Sequence, residues 1–524
     1  MKTDVIDPEI ARPVPAIPDP HAPIPRQIRY IIGNEGCERF SFYGMRNILT
    51  MFLISSLLVY LPEADREHAA KDVFHTFVIG VYFFPLLGGW LADRFFGKYN
   101  TILWLSLVYC AGQACLALFV FNRVGFYVGL GLIALGSGGI KPCVAAFVGD
   151  QFDQTNKHRA KVVFDAFYWI INVGSLFASA LMPSFLRFLG PAFAFGIPGV
   201  LMFISTIVLW LGRKRYIMVR PAPPNPHSFL RVSRDAIASG ARGQILAGVS
   251  ALAAIVSFVL MPKLGFVIAA CLALVAVIAF GGLGVWLQLD AIRGKHPEEA
   301  INGVRGVLRV LVLFAFVTPF WSLFDQKAST WVLQANGMSK PTWFESSQMQ
   351  ALNPALVMLL IPFNNLVLYP ALRRIGYAVT ALRRMTAGIA FSGVAWIVVG
   401  GMQLVLDHGT VFTIAWQILP YTFLTLGEVL VSATGLEFAY SQAPLSMKSA
   451  IMAFWNLSVT IGNLWVLVVN LGVQNQGVID FIKSSGFGLT AFQMFFFAIF
   501  AFAAALAFGL VARSYPVADH YRKA

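Results

Sequence analysis

Glu35, Glu38 and Arg39 lie in the run NEGCERFSFYG, inside the first long apolar segment of the chain. A bare charge at bilayer depth costs roughly 2.5–3.5 kcal/mol on insertion scales, so such residues face a cavity or one another. On a helix, positions i, i+3 and i+4 share a face, and both carboxylates and the guanidinium can point into one space. Two acids beside a single base cannot both be neutralised by it. One carboxylate is left to titrate or to bind a cation, which is the chemistry proton coupling needs.

Few other ionisable residues fall at membrane depth: Arg46, His75, Lys141, Asp325, Lys327 and Glu428. Both signs occur in both halves of the chain, and a cavity lined this way is complementary to a zwitterion such as an amino acid or a short peptide. Lys141 sits in GSGGIKPCVAAFVGDQF, where the glycines at 136, 138 and 139 permit close helix approach and Pro142 frees a backbone carbonyl. A carboxylate partner, Glu35 or Glu38, is expected for it. His75, in FHTFVIGVYFFP, opens the second expected span, and its imidazole is the side chain suited to protonation near neutrality. Asp325, in FWSLFDQKASTW, is an acid among aromatics for which Arg46 is the candidate base. Glu428 stands alone in its segment, as a partner for a substrate ammonium group should.

The elements that must position these residues are membrane helices. The chain has 524 residues, 58% of them hydrophobic and only 12% charged, and its mean hydropathy is +0.70. Runs of about 20 apolar residues recur from end to end, which excludes a soluble globular protein. The five cysteines, Cys37, Cys110, Cys115, Cys143 and Cys271, all lie in apolar segments without metal-ligand spacing, and no metal or other cofactor is expected. A net charge of +14 raises the question of nucleic acid, but no basic soluble domain exists to bind it. The bases gather instead in the N-terminal stretch and alternate loops, from Arg26 and Arg29 to Arg383 and Arg384. The opposite loops, to which Arg66 and Lys71 are assigned, hold few. This positive-inside bias places both termini in the cytoplasm of a multi-pass protein of the plasma (inner) membrane, in contact with lipid.

About fourteen spans are predicted, near 30–60, 73–92, 100–121, 125–149, 162–186, 192–212, 243–261, 264–288, 306–334, 349–371, 385–405, 411–438, 449–474 and 488–512. The expected organisation is a disordered cytoplasmic tail at 1–28 and a six-helix bundle at 29–212. A cytoplasmic linker at 213–242, an inserted helical hairpin at 243–289, a second six-helix bundle at 290–512 and a tail at 513–524 follow. Two weak internal matches support duplication: LADRFFGK (91–98) with PALRRIGY (370–377), and FYWIINVG (167–174) with AFWNLSVTIG (453–462). In the first of these, Asp93 and Arg94 are candidates for a latch between conformations.

ADRFFGK resembles the cytoplasmic-loop motif of the major facilitator superfamily. EGCERFSFYG, GSGGIKPCVAAFVGDQF, FYWIINVGS, FWSLFDQ and GEVLVSATGLEFAYSQAP together resemble the proton-dependent oligopeptide transporters of that superfamily, in family order from about residue 29 to 475. The resemblance implies an all-α polytopic fold of two six-helix bundles, with a hairpin similar to that of the fourteen-helix bacterial members. It implies that Glu35, Glu38 and Arg39 form the ExxER proton-coupling motif with Lys141 as salt-bridge partner. Arg46 and Lys141 would face the peptide carboxylate, while Asn172, Asn353 and Glu428 would hold its amino end and backbone. Tyr43, Tyr82, Trp321, Ser432 and Trp455 would line the pocket. Asp325 would pair with Arg46 and release the proton inward. Bacterial members usually have Glu where Asp325 stands, and many lack a histidine at position 75. The dominant proton site, His75 or the triplet, is therefore left open.

The expected activity is symport of protons with di- or tripeptides into the cell by a monomer working through alternating access. The alternative is proton-coupled transport of another anion, such as nitrate, on the same bases. No enzyme motif (HExxH, GxSxG or GxxxxGK[ST]) is present.

Overall fold

The computed structural model describes residues 5–6, 23–152, 156–221, 225–442 and 447–516. After a two-residue strand, β1 (Val5–Ile6), come α1 (Ile28–Phe52), α2 (Glu63–Leu91), α3 (Gly97–Leu118), α4 (Arg123–Gly149), α5 (Lys157–Leu189) and α6 (Pro191–Leu211). The second strand, β2 (Met218–Val219), pairs in parallel with β1, Val5 opposite Met218 and Ile6 opposite Val219. Then follow α7 (Phe229–Ala238), α8 (Ala241–Val259), α9 (Met261–Leu264), α10 (Phe266–Ala276) and α11 (Gly282–Gln288). The remainder is α12 (Glu298–Asp325), α13 (Thr330–Asn336), α14 (Leu352–Phe363), α15 (Tyr369–Arg374), α16 (Ala381–Asp407), α17 (Ile418–Glu428), α18 (Thr434–Gln442), α19 (Lys448–Gly472), α20 (Gln476–Ser484) and α21 (Leu489–Arg513). The tails expected at 1–28 and 513–524 fall largely outside the described residues.

Among the described residues, twelve helical stretches are long and apolar enough to cross a membrane. One of these, Asp65–Leu118, has 54 residues, more than twice what a hydrocarbon layer of ~30 Å requires. It contains α2 and α3, which part at Gly97, where φ is +74° and a side chain would be strained. α1 is missing from the twelve because Glu35, Glu38, Arg39 and Arg46 interrupt its apolar run. With α1 added and α2 separated from α3, the fourteen expected crossings are accounted for. Among the described residues, five turns of π-helix punctuate the helical segments, at Leu53–Leu57, Ala92–Phe96, Val277–Gly281, Asn364–Leu368 and Val429–Ala433. Such i→i+5 turns are rare and recur at functional sites.

The chain folds as two compact units. The first comprises Met1–Pro223, Gln326–Asn364 and Val411–Tyr421. Here α3 packs on α4 and α6, α4 on α2, and α1 on α5 and α6. Gly88 and Gly138 let α2 and α4 cross at backbone contact: a Cβ on Gly88 would stand 2.0 Å from the Gly138 carbonyl oxygen. At one end of the core, Phe52, Phe126 and Phe195 interlock with ring centroids 4.9–5.3 Å apart.

The second unit comprises Pro224–Asp325, Asn365–Thr410 and Thr422–Ala524. α12 packs on α19 and α21, and α16 lies along α21. The hairpin helices, α8 with α10 and α11, pack mainly on each other. Only 11% of the most apolar window of α8 is buried, as suits a helix facing lipid.

The polar stretch expected as linker contains α7, whose Asp235 is a hub. Lys295 Nζ donates to Asp235 Oδ2 at 3.0 Å and His296 Nε2 lies 3.1 Å from the same oxygen. On its other side, His296 Nδ1 is 2.9 Å from His227 Nδ1. The hydrogen bonds from Lys295 and then His296 hold the Asp235 carboxyl down at about 2, against an ordinary 3.8. A carboxylate with a depressed folded-state value stabilises the fold fully above the ordinary value and ceases to as pH falls through the depressed one. Thermal stability in detergent should therefore lose a component between about pH 4 and pH 2 that Asp235→Asn removes. An acid limb identical in the two proteins would show that the hub contributes nothing.

Candidate functional site

Within the first unit, α1 carries a buried stripe. Glu35, Glu38 and Arg39 are 2%, 0% and 8% exposed, an extreme degree of burial for three formal charges. Arg39 Nε lies 2.8 Å from Glu35 Oε1 and 2.6 Å from Glu38 Oε2. These are charge contacts whose angles are not those of hydrogen bonds, and Glu35 Oε2 and Glu38 Oε1 are buried with no hydrogen-bond partner. One guanidinium thus serves two carboxylates, and the triplet by itself holds a net charge of −1 when both are ionised. Such orphaned oxygens call for an explanation, and a proton is the smallest partner that supplies one.

Lys141, on α4, sits over two rings, its Nζ 4.5 Å from the centroid of Phe42 and 4.0 Å from that of Tyr82. Cation–π contacts of this kind add to the charge interactions of an ammonium. Arg46 continues the α1 stripe; it is buried, with its guanidinium 5.3 Å from the Phe74 ring. Tyr43 lies against Phe42, the ring centroids 5.4 Å apart. Asn172 is buried on α5 and donates to the Tyr168 carbonyl of its own helix at 2.9 Å.

His75 departs from expectation. It does not open its span but lies well inside α2, fully buried, with Nε2 3.0 Å from Ser329 Oγ. The cause is the run EADREHAAKD (63–72), which reads as a loop by charge yet forms the first turns of the helix. Glu63 and Asp65 stand in its first turn, where acids favour the helix dipole. Arg66 and Lys71 accordingly belong to α2 and not to a loop, and Lys71 is 5% exposed.

Lys327 is also buried in this unit, and its Nζ donates to Asn353 Oδ1 at 2.8 Å. The amide expected to receive a substrate ammonium therefore already receives one. Asp93 and Arg94 stand on the π turn Ala92–Phe96 and are exposed. An ion pair at that end of the unit runs from Lys98 to Asp150, 2.7 Å to each carboxylate oxygen. Asp150 lies in the GDQF that ends the Lys141 motif, where no sequence signal marks it as the partner of Lys98.

In the second unit, Asp325 ends α12 and is 2% exposed. Its Oδ2 accepts from Asn463 Nδ2 of α19 at 2.8 Å. Asn463 is fully buried, and as an amide in an apolar helix it gives no periodic signal in the sequence. Trp321 and Trp455 meet edge to face, centroids 5.8 Å apart at 84°, and Trp321 Nε1 is buried without a hydrogen-bond partner. Glycine at 435 makes room for this pair: a Cβ there would fall 2.4 Å from Trp455 Cη2. Glu428 and Ser432 are half-buried, Glu428 as the last residue of α17 and Ser432 within the π turn that follows. Asn463→Ala should leave the buried Asp325 short of a donor, at a cost of about 1–3 kcal/mol. Thermal unfolding of the purified variant measures it, and an unchanged midpoint would count against the pair.

A sequence profile described as the POT family matches residues 99–480. That range covers Lys141, Asp325 and Glu428 but not the α1 triplet. Solute carrier family 15 member 2 of Mus musculus is 34% identical over 403 residues, which is 73% of this chain and 49% of the relative. The chain thus spans about half the length of the curated relatives it matches. The crystal structure of an auto-inhibited POT family peptide transporter is 64% identical, covers 95% of this chain and 99% of that one, and superposes with a TM-score of 0.93. The in meso crystal structure of the POT family transporter PepTSo is 62% identical, with coverage of 95% and 100% and a TM-score of 0.93.

Proposed function

The chain belongs to the POT family of membrane transporters, and from that premise we propose that it carries protons and di- or tripeptides together into the cell. The observation that carries the proposal is the pairing of two buried carboxylates with one guanidinium on α1. Protonating one acid removes the surplus charge, and losing that proton restores it. Each base then has two competing partners, a carboxylate of the protein and a carboxylate of the substrate, and that competition couples the proton to the peptide.

The residue chemistry supports a peptide rather than a bare anion. Arg46 and Lys141 of the first unit suit a carboxylate, while Glu428 of the second suits an ammonium group. Asn172 and Asn353 carry amides that can hold backbone. Several similar proteins are described as peptide transporters. The distribution of bases favours a plasma-membrane protein with both termini in the cytoplasm. His75, in contact with Ser329, and Asp325 are two further ionisable side chains that the proposal includes. The protein acts as a carrier, not an enzyme, and works as a monomer.

The test is uptake of a labelled dipeptide into proteoliposomes containing the pure protein, with and without an inward proton gradient and an interior-negative potential. Accumulation above equilibrium that a protonophore abolishes is the expected result. Downhill equilibration indifferent to the gradient would overturn the coupling, and uptake of nitrate without uptake of peptide would overturn the substrate.

A further inference from the structure

α16 and α21 lie side by side in the second unit, and between them runs an open groove of 1040 Å³. That is just above the range for sites that hold drug-sized molecules (~300–1,000 Å³). Its floor is small and apolar: Ala387 and Ala390 of α16 face Ala505 and Gly509 of α21, with Phe502 beside them. The wall stands outside the packed core, since Leu506 is 67% and Leu510 56% exposed in a helix apolar enough to cross a membrane. At one end of the groove the lining changes character. Arg383, in the first turn of α16, and Arg513, in the last turn of α21, stand there with Tyr377 and Thr380.

The arginines are not spent on the protein. Arg383 lies 5.1 Å from the Tyr377 ring and gives one hydrogen bond, from Nη1 to the Ala378 carbonyl at 3.1 Å, which leaves most of its five donors for another acceptor. Arg513 is exposed. Glu437, one residue from the lining Phe438, forms an ion pair with neither arginine among the described residues. Arg373 and Arg374, exposed on α15 just before Tyr377, add positive charge to the same stretch.

An apolar trough that opens toward hydrocarbon and ends at two arginines fits one kind of occupant. We propose that this groove binds an anionic phospholipid, with the phosphate held by Arg383 and Arg513 and an acyl chain laid along Ala387, Ala390, Ala505 and Gly509. Charge complementarity selects the headgroup. A zwitterionic lipid brings its own cation to the arginines, whereas phosphatidylglycerol brings an uncompensated phosphate. Basic groups near an anionic membrane surface each favour such a headgroup about five-fold, so two give a preference of roughly ten- to thirty-fold. The proposal stands apart from the transport reading, because no proton-coupling or peptide residue lies in the groove.

The experiment uses the full-length protein in phosphatidylcholine nanodiscs doped with phosphatidylglycerol. Lipids retained after mild detergent extraction are counted by native mass spectrometry. The wild-type protein should keep phosphatidylglycerol over phosphatidylcholine by about ten-fold or more, and the pair Arg383→Gln and Arg513→Gln together should erase that preference. Ala390→Phe, which fills the floor and leaves both arginines in place, should lower the amount of lipid retained. Dipeptide uptake at wild-type rates checks that each variant is folded. Equal retention of the two lipids by the wild type, or an undiminished preference in the arginine double variant, would mean nonselective annular lipid only and would overturn the site. Unchanged retention by Ala390→Phe would overturn the placement of the acyl chain.

Discussion

Replacing Glu38 by Gln should reduce proton-driven dipeptide accumulation to simple equilibration while leaving exchange of labelled for unlabelled peptide intact. The amide keeps the size of the carboxylate in a site that is fully buried, so no cavity opens and no new charge is stranded. The change is in the count. With Glu38 neutral, Arg39 and Glu35 form a one-to-one pair, and no surplus carboxylate remains to take up and surrender a proton. At an interior-negative potential of 100 mV, one proton carries ~2.3 kcal/mol, enough for roughly 50-fold accumulation of a neutral zwitterion at a factor of ten per 1.4 kcal/mol. The expected ratio in the variant is about 1. Accumulation that persists in Glu38→Gln would transfer the coupling role to His75 or Asp325, and the same assay on His75→Gln and Asp325→Asn would find which.

The second large effect is on the fold and reaches the site through it. Gly88→Ala places a methyl group 2.0 Å from the Gly138 carbonyl oxygen, with the Gly138 carbon at 2.4 Å and the Gly139 nitrogen at 2.8 Å. These neighbours are backbone atoms of α4 and cannot swing aside as a side chain would. The two helices must separate, at a cost of about 1–3 kcal/mol or more. Lys141 lies on the same stretch of α4 and Tyr82 on α2, with the ammonium 4.0 Å from the ring. Moving the helices apart therefore opens a contact of the binding machinery as well. Gly88→Ala should lower both the unfolding midpoint and the rate of dipeptide uptake. The control is Gly131→Ala on α4, which meets nothing within 4 Å and should be neutral or slightly stabilising, because alanine is the better helix former. A Gly88→Ala protein as stable and active as the wild type would show that the crossing tolerates a wider gap.

Much of this arrangement was legible in the sequence because the membrane makes exceptions conspicuous. Glu35, Glu38 and Arg39 stand out in an apolar run, and helical spacing alone places them on one face. The number of spans follows from length and hydropathy, with Asp65–Leu118 resolved into two by a glycine at its turn. The errors have a common origin. EADREH reads as a loop because its charge outweighs its helical tendency, and His75 consequently falls too near the start of its expected span. Partnerships were invisible for another reason. Asn463 is 138 residues from Asp325, and His296 is 61 from Asp235. Periodicity reports which way a side chain faces on its own helix, not what the facing helix brings to it. The Lys98–Asp150 pair shows the same limit, since its carboxylate lies 52 residues away, at the end of α4.

The five π turns bear on how this chain can change length. In a regular α-helix each residue advances the face by 100°, so removing one within a span swings every later side chain away from its partners. A wide turn already contains a residue beyond what the regular spiral needs. Loss of a single residue from Val429–Ala433 can be absorbed by tightening that turn into ordinary helix, leaving Thr434–Gln442 facing as before. Loss of one residue from the middle of α4 has no such reserve and would turn everything from the gap to Gly149 out of register. Natural or engineered single-residue deletions should therefore be tolerated at the wide turns and excluded between them, so that alignment gaps among functional relatives collect at these five places.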